Sequence, residues 1–147
     1  MDHVAIMRKN WGLIPKILDG RKKIESRWGK NKVAPWGRVK AGDNVYFKNS
    51  GEPITAVAKV SKVLEFENLK PRLIRKLLKK YGGEGGLAIR SLTKSFSWAR
   101  GKRYCTLIFI KHPKTHEPFN IDKKGFGIGT AWLCVGKIDR VKLKIGN

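Results

Sequence analysis

Glutamine is absent from this chain of 147 residues, and carboxylates are scarce: 11 Asp+Glu stand against 33 Lys+Arg, a formal net charge of +22. Lysine richness without glutamine suits a heat-adapted source, but heat adaptation adds glutamate along with lysine, and glutamate is not enriched here. The imbalance therefore calls for another explanation, since like charges repel one another in the compact state unless a polyanion relieves them. Nucleic acid is the first such partner to expect, ahead of an acidic membrane surface. Cysteine is limited to Cys105 and Cys134, each within an apolar run and with no C-x-x-C pair. That excludes a zinc knuckle or a thioredoxin-like site and leaves two small buried hydrophobes. No apolar run has the length of a membrane span, and the N-terminus lacks the apolar core of a secretory leader, so no membrane partner and a cytoplasmic location are expected.

What is present is an ordinary globular share of hydrophobic residues, 41%, in a length that suits one domain over 1–147. Val4-Ala5-Ile6-Met7 reads as a buried first strand. Leu13, Ile14, Ile17 and Leu18 recur at helical spacing and form one apolar face. The helix is expected to start near Asn10, a competent N-cap, with Pro15 either opening its well-formed part or kinking it. Gly20 marks its end. Beyond it the chain turns extended, so that Glu25 and Arg27 project to one side and Ile24 and Ser26 to the other, with Lys22 in the turn just before.

The resulting pattern, Gly20-x-Lys22-x-x-Glu25-x-Arg27, resembles the signature of ASCH domains, members of the PUA-like superfamily of small RNA-binding β-barrels. In a chain so rich in lysine the same residues also suit a plain helix stop followed by a surface ion pair. The segments that follow extend the resemblance: a turn at Val39-Lys40-Ala41-Gly42-Asp43, a strand to Lys48, a second turn at Asn49-Ser50-Gly51-Glu52-Pro53 and a long strand from Ile54 to Val63, together a β-hairpin. It covers at least Ile6 to Val63 and reaches more loosely to the strand Tyr104–Ile110 and to Pro118-Phe119. It implies an α+β fold: a small, curved, mostly antiparallel β-barrel with helices packed around it and a cleft beside the first helix.

The rest of the chain is read from its own residues. Asn68 to Tyr81 is an amphipathic helix with Leu73, Ile74, Leu77, Leu78 and Tyr81 on one face. Its other face carries Arg72, Arg75, Lys76, Lys79 and Lys80, either a solvated surface or a phosphate-facing ridge. Gly82 to Gly86 reads as a flexible connector. Between Arg90 and Arg103, cations alternate with Phe96 and Trp98, as in a single-stranded nucleic-acid groove, while Leu92, Phe96 and Ala99 also fit a buried helix face. Tyr104 to Lys111 is a strand. His112 and His116 stand four apart, but Pro113 opposes a helix that would align them, so no metal site is expected. Gly125 to Thr130 is a glycine-rich turn rather than a dinucleotide fingerprint, because Ala131 to Val135 continues as a strand. Val141, Leu143 and Ile145 alternate with lysines as a final strand.

The resemblance implies that Lys22, Glu25 and Arg27 line the cleft, with Ser50 nearby. Arg21, Lys22 and Arg27 suit phosphate, Arg27 through its bidentate fork. Glu25 either orients Arg27 or accepts from an exocyclic amine or a sugar hydroxyl. Trp28 and Trp36 are either stacking platforms or core. RNA is favoured over duplex DNA, since RNA recognition uses splayed bases on aromatic rings. The first reading is thus an RNA-binding module without cofactor, its oligomeric state open with a monomer favoured. The alternative is an RNA-processing enzyme, a ribonuclease or a nucleoside amidohydrolase, with Lys22 and Glu25 as its catalytic pair. The amidohydrolase relatives carry threonine where this chain has Glu25, which leaves that activity without its nucleophile. A third reading, a methylated base caged between tryptophans, has nothing in the sequence to bring three of them together.

Overall fold

A computed structural model describes residues 1–144. Among these, β1 (Asp2–Met7), β2 (Ile24–Gly29), β3 (Asn44–Asn49), β4 (Ile54–Phe66), β5 (Tyr104–Phe119) and β6 (Trp132–Gly136) form one sheet in the order β2-β5-β4-β3-β1-β6. Three helices accompany it: α1 (Leu13–Leu18), α2 (Pro71–Tyr81) and α3 (Leu92–Ala99). Neighbouring strands run antiparallel except β1 and β3. The fold is α+β, a curved half-barrel with helices packed on it.

The curvature has a local origin. β4 and β5 are long, and their pairing shifts register between Ile54 and Ala56, Val57 and Lys59, and Val60 and Lys62. Each such bulge adds twist and bends the pair. His112 takes a positive φ of 52° in this stretch, and β5 runs on through Pro113 to Phe119 rather than stopping at Lys111. The segment His112–His116, expected to follow the strand, is therefore part of it, and the His116 ring packs against Phe119 and Tyr46.

Bending the sheet gives it an inside. Ala5, Met7, Val45, Phe47, Ala56, Ala58, Ile108, Ile110 and Trp132 meet there with Ile14 and Ile17 of α1. Outside, Ile24, Cys105 and Leu107 pack beneath Ile74, Leu77 and Leu78 of α2 and Ala99 of α3. Val4 and Leu133 face a third cluster with Ile54 and Phe119. Strand β1 thus buries both faces, which is why it reads as an unbroken apolar run rather than an alternating one.

Several element boundaries differ from expectation for identifiable reasons. Asn10 does not cap α1: it lies in a 3-10 turn over Lys9–Trp11, and Gly12, at φ 60°, supplies the left-handed residue before Leu13. Pro15 falls in the first turn of α1, where its missing N–H would have had no partner. Helix α2 begins at Pro71 rather than Asn68, because a residue before proline is held extended, as Lys70 is. After β6 comes a 3-10 turn at Ile138–Arg140 and a single bridge between Ile121 and Lys142 in place of the expected strand, whose Ile145 lies outside the described residues.

The largest correction concerns Gly82–Gly86, which is no loose connector. The Gly86 carbonyl accepts from the N–H groups of Lys23 (2.9 Å) and Ile24 (3.0 Å), and the Gly85 N–H donates to the Arg21 carbonyl (2.6 Å). A Cβ at Gly86 would overlap the Tyr81 carbonyl oxygen, and one at Gly82 the Leu78 carbonyl oxygen. Glycine is needed at both positions because backbone lies where a side chain would start.

A buried polar cluster holds the sheet's other side. Trp132 Nε1 donates to His3 Nδ1 (3.1 Å), which places the imidazole proton on Nε2, against Asp43 Oδ2 (2.9 Å). Asp43 also accepts from the Lys40 N–H and the Met1 amino group. Burial lowers the His3 pKa below its ordinary 6.5, with Asp43 opposing. Burial pushes Asp43 upward, but its hydrogen bonds outweigh that and hold it below the usual carboxylate value.

Two outcomes follow from these contacts. Both groups bind protons less readily folded than unfolded, so stability is complete above about pH 6.5 and falls as pH drops below it, first through His3 and then through Asp43. Thermal unfolding across pH 7 to 5 should show the decline, and His3→Gln should flatten it. Gly86→Ala should cost about 1–3 kcal/mol in urea unfolding through overpacking; a neutral effect would mean the loop is not held as described.

Candidate functional site

The turn after α1 delivers the motif with its backbone already tied down. The Lys22 N–H donates to the Lys16 carbonyl (2.9 Å) at the end of α1, and Lys22 bridges to Gly86 in parallel register. Its side chain is 4% exposed, and Nζ donates to the Leu87 carbonyl (3.1 Å), so the glycine loop anchors the lysine at both backbone and ammonium. Three residues on, Glu25 is 5% exposed on β2. Its Oε1 accepts from the Ser26 N–H (3.0 Å) and lies 3.8 Å from Arg27 Nε, while Oε2 has no protein partner.

Lys22 and Glu25 open on a cavity of about 290 Å³. One wall is Trp11, Leu13 and Lys16, from the 3-10 turn and α1. The glycine loop's continuation, Leu87 to Ser91, forms a second. Helix α3 adds Lys94, Ser95, Trp98 and Ala99, and Trp28 closes the floor with its Nε1 on Ser26 Oγ (2.9 Å). The hollow is thus apolar in its walls, with one acid and one amine buried in it and Lys16, Arg90 and Lys94 among its cations. Its volume is close to the lower end of small-molecule pockets, about 300–1,000 Å³.

Arg27 is turned elsewhere. Its guanidinium donates to the Ala131 carbonyl (3.1 Å) and the Ile6 carbonyl (3.3 Å), and lies 5.2 Å from the Trp132 ring centre. The expectation that Lys22, Glu25 and Arg27 share one cleft is corrected: Arg27 lines a separate hollow of about 30 Å³, with Trp28, Trp36 and Tyr104. The alternation of β2 does put Glu25 and Arg27 on the same side, and Trp28 lines both spaces. Trp36 packs edge-on against Tyr104 (5.2 Å) beside Lys32 (5.9 Å from the Trp36 ring). Ser50 lies exposed in the β3–β4 turn, its N–H on the Met7 carbonyl (2.9 Å), and lines neither hollow. Arg21 is exposed and paired with Asp19 (2.7 Å).

Burial lowers the Lys22 pKa, Glu25 opposes that shift, and Arg27 and Lys16 add to it. Burial lowers Arg27 too, against Glu25, although a guanidinium keeps its charge regardless. The site thus offers a carboxylate oxygen without a donor and a buried amine only partly satisfied by one carbonyl.

The motif's spacing did not reveal Trp11 or the Leu87 carbonyl. Trp11 sits between Asn10 and Gly12, off the apolar face of α1, and a large aromatic in that position is a signal of its own. The Leu87 carbonyl has no side-chain signature, and only folding brings it to Lys22.

No protein-family model matches the sequence, and no curated protein matches it. Among solved structures, the fold is similar to that of ASCH from Zymomonas mobilis (TM-score 0.63, 15% identity, 89% of this chain and 85% of that chain). It is also similar to two variants of the same protein: a tyrosine-to-phenylalanine mutant (TM-score 0.67, 14% identity, covering 95% and 93%) and a serine-to-alanine mutant (TM-score 0.68, 14% identity, covering 95% and 91%). The chain has an ASCH-type fold.

Because Glu25 holds the Lys22 pKa up against burial, Glu25→Gln should make the Lys22 amine titrate at lower pH than in the unaltered protein. NMR of the lysine side-chain amine reads the change; an unmoved titration would mean that the two groups do not feel each other.

Proposed function

We propose that this chain binds single-stranded RNA, with one base entering the cavity between Trp28 and α3. The observation that carries this reading is Glu25, a buried carboxylate in the lining of a largely apolar cavity beside Lys22, whose Oε2 has no protein donor. A buried acceptor left unsatisfied costs about 1–3 kcal/mol, so a ligand bringing an N–H or O–H to that point gains affinity and selectivity together. A nucleobase edge supplies adjacent donors and acceptors on a flat apolar ring. Lys22 offers the complementary donors. Phosphates on either side of the base meet Lys16, Arg90 and Lys94, and the net charge of +22 draws the polyanion in. RNA is preferred to duplex DNA because such a pocket reads unstacked bases rather than groove edges. In this assignment Arg27 frames the site and does not grip phosphate.

A second reading is an RNA-processing enzyme at the same place, and the lowered pKa of Lys22 next to Glu25 favours it. An amine brought below its ordinary range exchanges protons more readily near neutral pH, as acid–base chemistry at a 2′-hydroxyl requires.

Fluorescence anisotropy with short labelled single-stranded RNA tests the binding reading. Lys94→Glu and Glu25→Gln should each weaken binding about tenfold, a loss of about 1.4 kcal/mol. Lys144→Glu, the same change of charge on an exposed lysine outside the cavity, should cost much less. Equal losses for Lys94→Glu and Lys144→Glu would mean that the cavity is not the site. Cleavage of the RNA during incubation, abolished in Lys22→Ala, would favour the enzyme.

A further inference from the structure

The mouth of the cavity is edged by two tryptophans that the motif does not include. Trp11, on the 3-10 turn before α1, is 39% exposed, and Trp98, on α3, is 44% exposed; Trp132 inside the barrel is 2% exposed. The two rings meet edge to face at 6.3 Å, and both line the cavity. A cation stands over each: the Arg8 guanidinium 4.9 Å from the Trp11 ring and the Lys102 ammonium 5.3 Å from the Trp98 ring. Neither Arg8 nor Lys102 has a carboxylate partner among the described residues.

This combination differs from a core in an informative way. Burial of an indole is strongly favourable, so two large rings left open at one rim make a surface that some other flat group covers. A cation whose neighbour is a π face keeps all its donors for an oxygen anion. Ring and cation together match one nucleotide: base on indole, phosphate on Arg8 or Lys102. The rings come from two segments distant in sequence and meet edge to face at the cavity's rim.

We propose that Trp11 and Trp98 form a stacking platform for the nucleotide adjacent to the one whose base occupies the cavity. The site then reads an unpaired strand of at least two nucleotides, in preference to a free mononucleotide or a duplex. The inference rests on the RNA-binding reading above and adds to it a second subsite and a requirement for strandedness. A membrane is the other surface that exposed tryptophans among cations suit. Here, however, the rings edge a cavity holding a buried acid and amine, whereas bilayer anchors stand on an apolar face.

The test compares a mononucleotide, a single-stranded tetranucleotide and a blunt RNA duplex against the unaltered chain, Trp11→Ala, Trp98→Ala, Trp98→Phe and Glu25→Gln. Each alanine variant should weaken the tetranucleotide roughly five- to hundred-fold and the mononucleotide, which meets the rings only as cavity wall, several-fold less, with Trp98→Phe losing less because a ring remains. The duplex should bind the unaltered chain more weakly than the tetranucleotide does. Equal losses on mononucleotide and tetranucleotide would place the rings in the base pocket and overturn the platform. So would no loss at all with binding still sensitive to Glu25→Gln, an outcome that leaves the RNA reading intact. Failure of the unaltered chain to bind any single strand would remove both. Binding of anionic vesicles that Trp98→Ala abolishes, with RNA affinity unmoved, would assign the rings to a membrane.

Discussion

One side chain, Arg27, ties the two margins of the half-barrel together. The sheet begins at β2 and ends at β6, and a sheet of that kind leaves two unpaired edges. Arg27, on β2, donates to the Ile6 carbonyl of β1 and to the Ala131 carbonyl just before β6, and lies against Trp132 of β6. A guanidinium suits this position because its donors are fixed in a plane and its face tolerates an indole. The bulges of β4 and β5 curve the sheet, and Arg27 fastens the curve. With the margins held, Ile108, Ile110, Phe47 and Trp132 share one interior. The same contacts withdraw from phosphate the residue whose chemistry most suggested it.

Around that frame, the cavity is made of segments that are not neighbours in sequence. The end of α1 supplies the Lys16 carbonyl that holds the Lys22 backbone, and the glycine loop supplies Leu87 for its ammonium. Helix α3 forms the remaining wall. Two close backbone approaches make this possible, Gly82 at the end of α2 and Gly86 over Tyr81. Without them the loop would stand away from β2, and Lys22 would have no acceptor on that side. Lysine burial here is a property of the loop as much as of the lysine.

The parts of this arrangement legible in the sequence are those that depend on local periodicity or on residue type. The apolar face of α1, the hairpin from Asn44 to Val63 and the alternation placing Glu25 beside Arg27 are set by spacing alone. So is the continuous apolar run of β1, since a strand buried on both faces has no polar side to show. What escaped was non-local. Glycines at 82–86 look like slack chain until a second backbone is found against them, and a main-chain carbonyl such as that of Leu87 gives no sign in any alphabet of side chains. The strand read as ending at Lys111 continues through Pro113, with an irregular pairing at His112 that only the partner strand reveals. The division of the motif between two hollows needed the third dimension, because the pattern fixes the side a residue faces and leaves open what lies on that side.

Glu25 lines the larger cavity and pairs with Arg27, which lines the smaller hollow. Its Oε1 lies 3.8 Å from the Arg27 guanidinium, and the residue itself lines the cavity. A carboxylate shares its charge over both oxygens, so a donor arriving at Glu25 from the cavity draws charge from the oxygen nearest Arg27. Occupancy of the pocket and tightness of the seam are thereby thermodynamically linked, and whatever fills the first also adjusts how firmly the sheet is closed.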